Sequence, residues 1–261
     1  MNYQAILDEI HQEILSLVPC GTGATYIPQL ASVSPQNFGM PVQIIDGKIF
    51  HVGHAWELFS IVSIPKVFTL TLGFTFEGDN ICTRVGPEPS GSTINSFVRL
   101  EHEHGRPGNS FINAGALVIS DILLSHLQNA KTSFLHYVRQ RAKHAAVQDD
   151  RQVARSERLT GFRNAAMAKI LKSFTNFTNE IEEVLEFYCF HCPRSMSCVD
   201  LAKGFLFLAN KGHCSWTNQQ VLPQSQTKRV NPIMLTFGTY MQPETSPSMS
   251  DDQGKVGRVV G

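Results

Sequence analysis

The chain has 261 residues, 42% of them hydrophobic, with 22 basic side chains against 22 acidic ones and six cysteines. That length carries one large domain or two intimate subdomains, and the balanced charge excludes a general field for gathering nucleic acid or an anionic membrane. No run of 18 apolar residues occurs, so no transmembrane helix is expected.

In chain order, "MNYQAILDEIHQEILSLV" predicts an amphipathic helix, with Ile6, Ile10, Ile14 and Leu17 at helical spacing. Asp8, Glu9 and Glu13 in this segment, with no basic start, argue against a secretory signal. "CGTGA" is a loop, and "MPVQIIDGKIFHVGH" predicts two short strands around an Asp46-Gly47 turn. Phe68, Leu70, Leu72, Phe74 and Phe76 alternate with Thr69, Thr71, Gly73 and Thr75, so pattern alone favours a strand. Residues 83–97, dense in Gly, Pro and Ser, are loop. "FINAGALVISDILLSHL" predicts a buried helix, and 131–186 is mostly helical. In "ARSERLTGFRNAAMAKILKSF", Ala165, Ala166, Ile170 and Leu171 lie on one side. "MSCVDLAKGFLFLANKG" is an apolar helix stopped by Gly212, and the residues after Tyr240 are polar and pattern-poor. Strands at the ends with helices between suggest an α+β arrangement.

Within "ELFSIVSIPKVF", Ser63 stands three residues before Lys66 in an apolar setting. That spacing puts both side chains on one face of a helical turn. A buried lysine loses its proton more readily and can then activate a neighbouring hydroxyl. The motif is short, and about one Ser-x-x-Lys arises by chance in a chain of this size. A second one, Ser225 with Lys228 in "PQSQTKRV", is polar throughout and reads as a solvated loop. The Cys189-x-x-Cys192 pair, with His191 and Cys198 nearby, lacks the second Cys-x-x-Cys of a four-ligand zinc site. His102 and His104 have no partner at a telling distance, so free thiols and no metal are the expectation.

"TYIPQLA" (25–31), "RVGPEPSGSTINS" (84–96), "NSFINAGALV" (109–118), "VARSE" (153–157), "RNAAMA" (163–168) and "MSCVDLA" (196–202) occur in one order. Together they resemble the bacterial-type serine-dependent glutaminases, from about residue 3 to Tyr240. The resemblance implies a serine β-lactamase/penicillin-binding-protein-like fold: an antiparallel sheet flanked by helices, plus a helical subdomain. On that plan residues 1–62 and 219–261 form the sheet side and 63–218 the helical side of a single domain. It also implies a helix after Ser63, against the alternation.

By motif, Ser63 resembles the nucleophile and Lys66 its base. Asn113, Glu157 and Asn164 resemble substrate-binding residues, Tyr188 the tyrosine beside the nucleophile, and Tyr240 a further substrate contact. Seven residues separate Glu157 from Asn164, so one helix could present both. The chemistry suits L-glutamine: a carboxylate for its ammonium at Glu157, and hydrogen-bond donors for its carboxylate at Asn113, Asn164 and Tyr240. No cofactor is called for. The resemblance implies a cytoplasmic homo-oligomer, a tetramer or a dimer.

Each residue also has a plainer role available. Asn113 could brace a helix, Glu157 could pair with Arg155 or Arg158, and Tyr188 could be a core aromatic. The match departs from the family at Val62, where a glutamine is usual, at Pro65, where a small residue is usual, and at His54, which replaces an aspartate. After Tyr240 the likeness ends: in "KVGRVVG", Val256 and Arg258 differ from the family strand, and the family's C-terminal strands and closing helix are missing. The competing expectations are a weak or inactive homologue acting through assembly or binding, and a hydrolase of another amide such as a β-lactam. Glu157 and Asn164 suit a free amino acid better than a β-lactam.

Overall fold

The computed structural model describes residues 1–18, 31, 33–87, 97–192 and 194–237. Helix α1 (Tyr3–Leu15) is capped by Asn2, whose side chain accepts from the Ala5 amide. Its buried residue is Leu7; of the expected stripe Ile10 and Ile14 are half-buried, while Ile6 and, past the helix end, Leu17 face solvent. Strands β1 (Gly39–Gln43) and β2 (Ile49–Gly53) pair antiparallel, Gly39 opposite Gly53 and Gln43 opposite Ile49. The turn between them is the expected one. Gly47 takes φ +95°, and the Asp46 carboxylate accepts from the Lys48 amide.

Strand β3 (Phe59–Ser60) leads into α2 (Lys66–Glu77). Here the alternation fails and the helix implied by the resemblance is correct. Every residue from Lys66 to Phe74 is buried, so the helix has no solvent face for polar residues to mark. The threonines that imitated a strand's outer face satisfy themselves inside. Thr69 donates to the Lys66 carbonyl and Thr71 to that of Phe68, while Thr75, exposed near the helix end, donates to that of Leu72. The Phe68 ring stacks on Phe205 with centroids 4.3 Å apart.

Past a 3₁₀ turn come α3 (Ile81–Arg84) and α4 (Phe97–His102), then α5 (Asn113–His126), almost wholly buried. Its start depends on close approach: a Cβ on Gly115 would run into the Asn109 carbonyl. Helix α6 (Ala130–Ala142), strand β4 (Gln148–Asp149), α7 (Arg151–Thr160), α8 (Phe162–Ser173) and α9 (Ile181–His191) follow. The stretch around "RLTGF" is two helices, because the chain breaks at Gly161. Met167, Ala168 and Leu171 form the buried face of α8, and Ala166 is exposed.

Strand β5 (Arg194–Met196) lies between β3 and β4, antiparallel to both. Helix α10 (Cys198–Ala209) starts on a reciprocal Ser197–Asp200 capping box. It ends three residues before Gly212, which takes φ +85°. Strands β6 (His213–Cys214) and β7 (Gln219–Gln220) pair, and α11 (Gln224–Phe237) closes the described chain. Ser225 and Lys228 are exposed as expected, but on α11 rather than in a loop.

Asp121 on α5 ties the helices together. Its side chain is fully buried and bonds to Arg84 at 2.6 Å, to the Thr178 and Asn179 amides, and to the Asn179 side chain. Burial alone would raise its pKa, but Arg84 and these donors outweigh it and hold the carboxyl below its ordinary value. A folded-state pKa below the unfolded one gives stability that is present at neutral pH and lost as pH falls through the carboxylate range. Asp121→Asn removes one partner of a buried pair, so urea unfolding at pH 7 should show a loss of about 3–5 kcal/mol. The gap to wild type should shrink at acid pH. An equal gap at both pH values would show that packing, not charge, is responsible.

Candidate active site

The site forms where β3, α2, α5, α7, α8 and α9 meet. Ser63 lies in the turn that joins β3 to α2, half-buried between the buried residues Val62 and Ile64. The turn is wound tightly: the Ile64, Lys66 and Val67 amides donate to the Ile61, Ser63 and Ile64 carbonyls. Val62 takes φ +36°, a left-handed value that costs a β-branched residue about 1–3 kcal/mol. The turn is held there from outside, because the Ile61 amide donates to the Arg194 carbonyl of β5. Pro65 sits just before the helix with φ −60°, the angle its ring imposes.

Lys66, the first residue of α2, is 3% exposed. Its Nζ donates to the Asn113 Oδ1 at 2.6 Å and to the Phe111 carbonyl at 3.1 Å. Both acceptors belong to the start of α5. Asn109 shapes that start by accepting from the Phe111 and Ile112 amides with its side-chain oxygen. Tyr188 on α9 also donates to Asn113 Oδ1, at 3.1 Å. Asn113 Nδ2 donates to Asn164 Oδ1 at 3.2 Å. Lys66, Tyr188 and Asn164 therefore converge on one amide.

Glu157 and Asn164 do not share a helix, contrary to the spacing argument. Glu157 is on α7 and Asn164 on α8, with the Gly161 break between them. Helix α7 is started by Asp150, which accepts from the Val153 amide. Glu157 Oε2 is sealed from solvent with no hydrogen-bond partner. Burial pushes its pKa up to about 7, the positive charge of Lys66 opposes this, and Asp150 adds to it. Its charge also raises Tyr188 and Cys192, so the carboxylate faces the same cluster. Burial, more than any neighbouring charge, holds the Tyr188 hydroxyl well above its ordinary pKa.

Tyr240 and the "EPSGS" motif lie outside the described residues. Cys189 and Cys192 are buried free thiols, their pKa values raised chiefly by burial. A cavity of about 780 Å³ lies between β1 and α10, lined by Met40, Val42, Leu201, Phe205 and Met234. Ile64 of the turn also lines it, and none of the described candidate residues does. His191 and Ser120 were not expected at this centre. His191 lies beside Tyr188 in the "EFYCFHC" run, where it reads from sequence only as a would-be metal ligand.

Comparison with known proteins gives one answer. The family model "Glutaminase" matches residues 21–245. A glutaminase from Ralstonia nicotianae is 45% identical over 240 residues, covering 92% of this chain and 79% of the relative. One from Sinorhizobium fredii is 46% identical over 239 residues, covering 91% and 76%. Among solved structures, "Probable glutaminase ybaS" superposes with a TM-score of 0.84 at 28% identity, covering 91% of this chain and 77% of that one. The "Probable glutaminase from Bacillus subtilis complexed with 6-diazo-5-oxo-L-norleucine" gives 0.79 at 29%, covering 92% and 74%. The fold of these neighbours is the β-lactamase-like α+β fold. With 225 of its residues inside the family model and 45% of its aligned positions identical to the Ralstonia relative, the chain belongs to the glutaminase family.

Proposed function

We propose that this chain hydrolyses L-glutamine to L-glutamate and ammonia through an acyl-enzyme on Ser63. The observation that carries the reading is the convergence of Lys66, Tyr188 and Asn164 on Asn113, with one sealed oxygen at Glu157 near enough for its charge to act on Tyr188. Lys66 donates to the Phe111 and Asn113 oxygens, and in its uncharged form the amine carries a lone pair that can take the Ser63 proton. Ser63 Oγ then bonds to the amide carbon of glutamine. The Ser63 N–H, which meets no acceptor among the described residues, suits the developing oxyanion.

Lys66 Nζ and the Tyr188 hydroxyl share the Asn113 oxygen, so they are neighbours. Tyr188 gives its proton to the departing nitrogen and regains one from Lys66, and ammonia leaves. Its raised pKa keeps it protonated at rest, as a proton donor must be. Water then attacks the ester carbon and frees glutamate, the proton returning to Ser63. Glu157 meets the substrate ammonium, while Asn164 and Tyr240 meet its carboxylate with Asn113. Glutamate and ammonia formed by the purified chain, with a mass shift on Ser63 in quenched samples, test the reading. No release of ammonia would leave the binding homologue in its place.

Glu157 makes this pH-dependent. Its pKa near 7 means that the carboxylate ionises between pH 6 and 8, in the range where the substrate ammonium is still charged. KM for glutamine should therefore fall as pH rises from 6 to 8. Glu157→Gln should flatten that dependence and raise KM roughly tenfold to a hundredfold, the worth of a charge-assisted bond. Stability moves the other way. A carboxyl whose folded-state pKa is raised favours the fold while protonated, and that contribution fades as pH rises from the ordinary carboxylate range to about 7. Glu157→Gln should then melt at or above wild type at pH 8 and lose that advantage at pH 5. A steep KM profile in the variant would return Glu157 to a surface role.

Among the described residues no helix is long and apolar enough to cross a membrane. A free amino acid as substrate suits a cytoplasmic enzyme. Leu159 and Phe162, at the α7–α8 junction, are 66% and 81% exposed and suit contact with a further copy in a homo-oligomer.

A further inference from the structure

Behind the cluster lies a second set of polar side chains that the chemistry does not touch. His191 is fully buried on α9, three residues after Tyr188 and so on the same face. Its ring stands edge-on to the Tyr188 ring at 5.3 Å, and it packs against Phe187 at 5.4 Å and Phe134 at 5.6 Å. Burial, then the charges of Arg194 and Lys66, depress its pKa well below the ordinary value, so the imidazole is neutral. A neutral imidazole donates at one nitrogen and accepts at the other.

Ser120 decides which. Its hydroxyl donates to the Ala116 carbonyl at 2.8 Å, which uses its single proton. His191 Nε2, 3.1 Å from Ser120 Oγ, must then carry the hydrogen and donate it. Nδ1 is left as the acceptor, and the Cys192 thiol lies 3.7 Å from it. Cys192 is 1% exposed, and burial keeps its thiol protonated and able to donate. One chain of polar contacts thus runs from Cys192 through His191 and Ser120 to the Ala116 carbonyl of α5, three residues after Asn113, while the His191 ring lies edge-on to Tyr188.

We propose that His191 is a positioning residue for Tyr188: held by Ser120 and packed edge-on against the tyrosine ring, it fixes the tyrosine so that its hydroxyl stays on Asn113 at the point of proton transfer. The proposal rests on the glutaminase reading above. Tyr188 and Asn113 stand on different helices, and a small rotation of α9 against α5 would break their 3.1 Å bond. The His191–Ser120 bond spans the same two helices and opposes that rotation.

The test uses the full chain. His191→Phe keeps the aromatic volume and should lower kcat roughly tenfold to a hundredfold with KM within about twofold, because proton transfer is affected and binding is not. His191→Gln, which retains a donor and an acceptor, should recover most of kcat. Ser120→Ala should lower kcat in the same direction by a few-fold. Nitrogen-15 spectra of labelled histidine should show His191 as the Nε2–H tautomer. Unchanged kcat in His191→Phe, equal losses in the Phe and Gln variants, or an Nδ1–H tautomer overturns the proposal. If His191→Phe does not fold, the Gln variant and the tautomer decide. An inactive wild-type chain would reject the glutaminase reading instead. The tautomer, and a shift of the Tyr188 ring signals between wild type and Ser120→Ala, would then still decide about His191: signals that do not move would overturn it.

Discussion

Ser63→Ala is expected to abolish glutamine hydrolysis, while Ser225→Ala leaves it unchanged. Both serines stand three residues before a lysine, so the pair of variants separates the motif from its setting. Ser63 is half-buried in a strained turn ahead of a buried lysine, whereas Ser225 and Lys228 are exposed on α11. Removing a nucleophile that works as a unit with its base costs on the order of a million-fold in kcat. The change deletes one oxygen from a partly exposed residue, so stability should move by no more than about 0.5 kcal/mol. Ammonia release at matched protein concentration, with urea unfolding alongside, checks both parts. Equal effects of the two substitutions would remove Ser63 from the mechanism.

Lys66→Arg and Lys66→Met form the second pair. Arginine stays protonated and cannot accept the Ser63 proton, and methionine has no nitrogen to do so. Both should lose turnover by at least about 10²–10⁴-fold, the usual contribution of a positioned base. The two should differ in stability. Arginine overfills a position that is 3% exposed, at a cost of about 1–3 kcal/mol. Methionine fits the space, and the Asn113 oxygen it abandons still receives the Tyr188 hydroxyl. The methionine variant is therefore the cleaner probe: folded, with glutamine binding retained in calorimetry and no release of ammonia. Near-normal turnover in either variant would make Lys66 a structural residue.

What the sequence by itself determined is local. The Asp46-Gly47 hairpin and the Ser197-to-Asp200 helix start are each set by residues within four positions of one another. Turn and cap chemistry acts over that range, so it can be read from order alone. The family was also legible, because long motifs in one order carry more information than any single spacing. Three other features were decided only by the tertiary structure. Residues 66–77 are a helix although they alternate like a strand, because from Lys66 to Phe74 it is buried on all sides and needs no polar face, and its threonines bond to its own carbonyls. Glu157 and Asn164 come from two helices, since the Gly161 break turns the chain where a periodicity count runs straight through. The joining of Lys66, Tyr188 and Asn164 at Asn113 brings together residues 47 to 75 positions apart, and the Glu157 pKa near 7 and the neutral His191 behind them arise from desolvation and from charges such as Lys66 that the fold brings near. Desolvation depends on what surrounds a group in space, and only the packed fold supplies those surroundings.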